Sequence, residues 1–139
     1  MRTLRLCFCL LVWATLFILG GCCKRHYYQA KINEVRGVEN VCSPIPKIIE
    51  NVHEGDRIDW GIPDHDYTIL FKDPQEPIKG PIKLKQGVPD TPHRIKGTNG
   101  CDPDPDEKGK GVYCKYSITK VGESTPCAKF DDPGIHITP

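Results

Sequence analysis

Tyr67-Thr68-Ile69-Leu70-Phe71 decides the fold class, because it places Tyr67, Ile69 and Phe71 on one face at period two, with β-branched or aromatic side chains at every position but Leu70. Outward from it the same signal recurs in short pieces. Upstream lies Arg57-Ile58-Asp59-Trp60, read with Ile58 and Trp60 inward and Arg57 and Asp59 outward, after the turn signal Glu54-Gly55-Asp56. Val41 to Val52, broken by Pro44 and Pro46, reads as one edge strand. Ala30 to Val35 alternates weakly, and Tyr27 and Tyr28 begin a first strand. Downstream, Val112 to Thr119 alternates apart from Cys114, and Gly134-Ile135-His136-Ile137 closes the chain. Residues 72 to 110 are broken by proline and glycine, with Ile82 to Lys85 and Arg94 to Lys96 as short strands. A structureless connection of that length would be unusual. No window sustains apolar spacing at 3.6 residues. The sequence predicts an all-β sandwich of seven or eight short strands.

Composition agrees. All 13 prolines lie beyond residue 43, where each removes a backbone donor and fixes φ, so long helices are disfavoured. The N-terminus differs: Met1-Arg2-Thr3-Leu4-Arg5 is basic, and Leu6 to Leu19, with Cys7 and Cys9 inside it, is apolar. The run is short for a bilayer span, which needs ~20 apolar residues, and has the layout of an export signal. Leu19-Gly20-Gly21-Cys22 at its end resembles the bacterial lipobox. That resemblance implies cleavage before Cys22, acylation of Cys22 and a membrane-anchored protein. Cys23, rather than Asp, at the following position implies the outer membrane in a host with two. The expected division is a signal peptide over residues 1–21, a tether over 22–29 and one domain over 30–139.

Cleavage leaves 118 of the 139 residues, enough for one domain. Losing Arg2 and Arg5 takes the formal charge from +1 to −1, which gives no electrostatic basis for nucleic-acid binding. Lys72, Lys79, Lys83, Lys85, Arg94 and Lys96 are interrupted by Asp73, Glu76 and Asp90 and read as a solvated surface. With Cys22 consumed by lipid, Cys23, Cys42, Cys101, Cys114 and Cys127 remain, an odd number, with Cys23 unpartnered in the tether. The other four suit two structural disulfides in an oxidising compartment, in any of three pairings. We favour Cys101–Cys114, which closes the proline-rich acidic turn, together with Cys42–Cys127.

Glu54-Gly55-Asp56-Arg57-Ile58-Asp59-Trp60, followed by His65-Asp66-Tyr67-Thr68-Ile69-Leu70-Phe71, resembles the central hairpin of cupredoxins. Gly111 to Ile118 and then Asp132-Pro133-Gly134-Ile135-His136-Ile137 are similar to the last two strands of that family. The resemblance covers residues 42 to 139 and implies a Greek-key β-sandwich with the Trp60 strand in the core. It also implies a ligand set for blue copper, which takes two His, a Cys thiolate and an axial Met. His65, Cys114 and His136 are the only candidates here. No histidine follows Cys114 before His136, Val121 to Cys127 offers only a thiol, and Met1 is the sole methionine. The expectation is a scaffold without the copper site and with no cofactor.

Other constellations fall short. Asp102-Pro103-Asp104-Pro105-Asp106 opens like a calcium loop, but Glu107 stands where Gly is needed and Tyr113 where the bidentate Glu is needed. Asp64-His65-Asp66 and Asp131-Asp132 offer carboxylates beside histidines. Ser43, Ser117 and Ser124 lack a nucleophile-elbow setting, and no phosphate loop is present. The function expected is a non-enzymatic, lipid-anchored envelope module that binds a protein partner. The competing expectations are a copper carrier or electron-transfer protein, and an envelope enzyme inhibitor.

Overall fold

The computed structural model describes residues 25–35, 41–73, 77–103, 111–128 and 133–138. The lipidation site Cys22, Cys23, the acidic residues 104–107 and the Asp131-Asp132 pair lie outside them. Within them the chain is all-β, with no helix. The strands are β1 (Tyr27–Gln29), β2 (Lys31–Glu34), β3 (Cys42–Ile45), β4 (Ile48–Val52), β5 (Arg57–Asp59) and β6 (Tyr67–Phe71). They continue with β7 (Ile82–Leu84), β8 (His93–Arg94), β9 (Asp102–Pro103), β10 (Val112–Lys120) and β11 (Gly134–Ile137). Eleven strands replace the seven or eight expected. One reason is that Pro46, without an N–H, divides Val41 to Val52 into two strands with different partners. The others are that β1 separates from β2 to pair with β5, and that β9, two residues long, is too short to leave a period in sequence. β1 also draws residues 27–29, the end of the expected tether, into the sheet.

Three sheets share one core. The largest runs β4-β11-β10-β6-β7, with β9 also on β10; β1-β5-β8 forms a second sheet and β2-β3 a third. β10 is the spine. Its first half pairs with β9 and β11, and its second half with β6 in the register Tyr116↔Phe71 to Lys120↔Tyr67. Two pairings are parallel, β1 with β5 and β4 with β11, so the sheets are mixed. As the alternation predicts, Tyr67, Ile69 and Phe71 are all buried, against Tyr116 and Ile118 of β10. Trp60 is fully buried, its ring edge-on to Tyr116 at 6.1 Å.

One residue of the central strand departs from expectation. Asp59, read as facing outward, is 4% exposed. Two partners make this tolerable: the Tyr27 hydroxyl donates to Oδ2, and the Gly61 N–H donates to Oδ1 at 2.8 Å. The parallel neighbour β1 supplies the first, and nothing local in the sequence announces it.

Both expected disulfides are formed, Cys42–Cys127 and Cys101–Cys114, with Cα separations of 5.1 and 4.5 Å. The first ties β3 to the segment after β10. The second fastens the start of β9 to β10.

Candidate functional site

The copper candidates are not brought together. Cys114 is buried and its sulfur is bonded to Cys101, so no thiolate is available. His136 pairs in register with Tyr113, whereas Tyr67, two residues after His65, pairs with Lys120. Seven residues of β10 separate those positions, roughly 23 Å at ~3.3 Å per residue. His65 lies between the carboxylates of Glu34 and Asp64, at 3.7 and 3.4 Å. His136 Nδ1 meets Glu50 Oε2 at 2.9 Å across the β11–β4 pairing. Each histidine therefore has a carboxylate partner at its own end of the sheet.

The His65 cluster has an electrostatic consequence. Burial acts to raise the Asp64 carboxyl, but hydrogen bonds from the Tyr67 hydroxyl (2.8 Å) and the Glu34 N–H, with the nearby His65, hold it below the ordinary carboxylate range. Lys72 at 3.0 Å lowers Asp102 in the same direction. A carboxylate depressed in the folded state contributes stability above its unfolded value and loses it as the pH falls through the folded value. We expect the melting temperature to hold steady from neutral pH to about 4 and to fall below that. Asp64→Asn should flatten the fall. Melting curves between pH 2 and 7 check this, and an unchanged acid limb in the variant would count against Asp64.

A different cluster, not singled out in the sequence, forms where β1, β4 and β5 meet. After β4, the chain turns through His53-Glu54-Gly55-Asp56, closed by the Asp56 N–H donating to the His53 carbonyl at 3.1 Å. Gly55 takes φ of 94°, which a side chain would resist. The Asp56 side chain is only 4% exposed. Its Oδ1 accepts the His26 N–H at 2.8 Å and its Oδ2 the His53 N–H at 2.9 Å, joining the entrance of β1 to the exit of β4. Both imidazoles then face the same carboxylate, with Nδ1 of His26 and of His53 at 3.8 and 3.7 Å from Oδ2. Arg25, Glu54 and Arg94 complete the walls of an open cleft of about 440 Å³. Tyr28 stands edge-on to His26; burial, then the negative charge of Asp56, raises its phenol.

The signal in the sequence was partial. His53 and Asp56 stand three apart around a turn glycine, but His26 lies in the stretch read as a tether. Only the parallel β1–β5 pairing carries it there. Beside the cleft, sharing Glu54, runs a mainly apolar groove of about 500 Å³, whose walls include Val112, Ile137 and Thr138, the last in contact with His53.

Lys72 is spent on Asp102, which Lys115 also approaches at 3.8 Å. Asp66 accepts the Gln86 N–H, and Ser117 is buried on β10 with its hydroxyl toward the Leu70 carbonyl. Comparison of the chain with protein-family models, with curated proteins and with solved structures finds no match.

Proposed function

We propose that this chain is a lipid-anchored envelope protein whose cupredoxin-like Greek-key sandwich serves as a non-enzymatic binding module for a protein partner. The observation that carries the choice over electron transfer is the fate of Cys114, which is locked in a disulfide with the two histidine candidates at opposite ends of β10. Blue copper requires a thiolate and two imidazoles on one ion. The two disulfides support an oxidising compartment, as the lipobox-like Leu19-Gly20-Gly21-Cys22 requires.

A contact surface for the partner is offered by two linked loops. Ile62 and Val88 are 64% and 53% exposed, on segments tied by Gly87 N–H to the Pro63 carbonyl (3.0 Å) and Asp90 N–H to the Gly61 carbonyl (2.8 Å). Asp90 also accepts the Trp60 N–H at 3.0 Å and contacts His93 at 3.0 Å, which anchors the tip to the core. Apolar side chains held on a fixed backbone lose little freedom on binding.

Three measurements test the proposal together. Cys22→Ala should leave unprocessed precursor and abolish partition into detergent; normal processing to a soluble form would replace the anchor with an ordinary signal peptide. A photo-crosslinker at Val88 should trap one discrete adduct in intact cells, while the same group at Lys83 on β7 should not. Copper bound stoichiometrically and removed by His65→Ala would overturn the binding-module assignment in favour of a metal carrier.

A further inference from the structure

The geometry points to a divalent transition-metal site formed by His26, His53 and Asp56. We propose that these side chains bind one ion of the Zn²⁺ or Cu²⁺ class, with an open coordination position facing the cleft. One ligand atom from each of the three lies within 4.8 Å of the other two. Metal bonds of ~2.0–2.2 Å set neighbouring ligands of a tetrahedral ion roughly 3.4 Å apart. The observed 3.7 and 3.8 Å to Asp56 need a contraction of a few tenths of an ångström, and the two imidazole atoms, within 4.8 Å of each other, need one of up to about 1.4 Å. His26 and His53, 60% and 48% exposed, have room to make it.

The same distances argue against a purely structural role for the rings. At 3.7–3.8 Å neither imidazole hydrogen-bonds the carboxylate. Asp56 already performs its structural work through the two backbone N–H groups, one on each oxygen, and each oxygen keeps a second lone pair. The rings add nothing to that work, yet both present a nitrogen to it.

The His53 ring is held from its outer edge: Nε2 lies 3.2 Å from the Thr138 hydroxyl, which is also 3.4 Å from the Val52 carbonyl. That contact leaves Nδ1 as the ring nitrogen turned toward Asp56. Holding the distal N–H of a ligating imidazole is the usual support for a metal-bound histidine. Thr138 is thus a positioning residue.

The surrounding charges limit the affinity and describe the open position. Arg25 and Arg94 line the cleft with Glu54, so two guanidiniums oppose a cation while one carboxylate favours it. They also favour an anionic fourth ligand on the ion. An acidic side chain of a bound partner has that chemistry.

Calorimetric titration of the processed, detergent-solubilised protein with Zn²⁺, and separately with Cu²⁺, tests the site. One ion per chain is expected, with nitrogen hyperfine structure from two imidazoles in the Cu²⁺ resonance spectrum. His26→Ala and His53→Ala, at exposed positions where folding should survive, should each weaken binding at least 100-fold. Thr138→Val should weaken it about 10-fold by freeing the ring. Asp56→Asn removes a backbone clamp as well as a ligand, so the histidine variants decide. No saturable binding, or binding retained by both histidine variants, as a Cys23-bound ion would show, overturns the site. Binding abolished by His65→Ala and untouched by His53→Ala also overturns it and sinks the binding-module proposal with it. Anion binding that needs Arg94 but no metal would assign the cleft to the arginines instead.

Discussion

Reduction of both disulfides should unfold the domain at about 37 °C, and each bridge should contribute unequally. The Cys42–Cys127 bridge spans 85 residues and the Cys101–Cys114 bridge 13. Restriction of the unfolded chain predicts about 4–5 kcal/mol for the first and about 3 kcal/mol for the second. Together that is about 7 kcal/mol, comparable with the whole stability of a typical domain of ~5–15 kcal/mol. Cys42→Ser paired with Cys127→Ser should therefore cost more than Cys101→Ser paired with Cys114→Ser. Urea unfolding of the two double variants measures the difference, with reduced wild-type protein as the lower limit. Equal midpoints for the two would mean that loop length does not govern the effect.

Trp60→Ala should destabilise by about 3–5 kcal/mol, the upper range for a core truncation. The indole is fully buried and touches the rings of Tyr116 at 6.1 Å and His93 at 5.9 Å, so its removal opens a cavity that the flanking strands cannot close. The backbone there is separately clamped, because the Trp60 N–H donates to Asp90 and survives the substitution. The loss should thus appear as lowered stability of a fold that still forms. Trp13 and Trp60 are the two tryptophans of the chain, so in protein processed at the proposed signal the Trp60 variant has no indole emission. Far-ultraviolet circular dichroism under urea is the suitable measurement. A shift below about 1 kcal/mol would mean that the indole is not packed as described.

Local alternation carried much of the fold in the sequence. Tyr67 to Phe71 coincides with β6 residue for residue, where alternate side chains are buried, and Gly134 to Ile137 coincides with β11, a strand paired on both sides. What stayed hidden was set by partners distant in sequence. Asp59 looks like a solvent-facing position in any local reading, and Tyr27, reached through parallel pairing with β1, joins the local Gly61 N–H in making it a buried acceptor. The division of Val41 to Val52 was written in Pro44 and Pro46, but which half would join β2 and which β11 was not. The candidate site follows the same rule. His65 and Cys114 drew attention through a motif that the strand register then pulled apart. His26 carries no local mark, being placed by β1 and by the Asp56 carboxylate. Side chains that converge through non-local pairing leave no spacing to read.

The position of β11 between β4 and β10 sets a timetable for biosynthesis. β4 has its ladder partner in β11, so its edge stays open until residues 134–137 exist. At ~5–20 residues per second, the 85 residues from Val52 to Ile137 take roughly 4–17 s to appear. Throughout that interval the nascent chain cannot close its largest sheet, because the strand needed to fill the gap follows the sheet's other described strands in the chain. A polypeptide in that condition is still a thread and can be passed through a narrow pore end-first. It is also an aggregation hazard, with an unsatisfied edge available to any neighbouring strand. The order of the strands along the chain thus makes late folding a built-in property of the topology, with residues 134–137 acting as the latch.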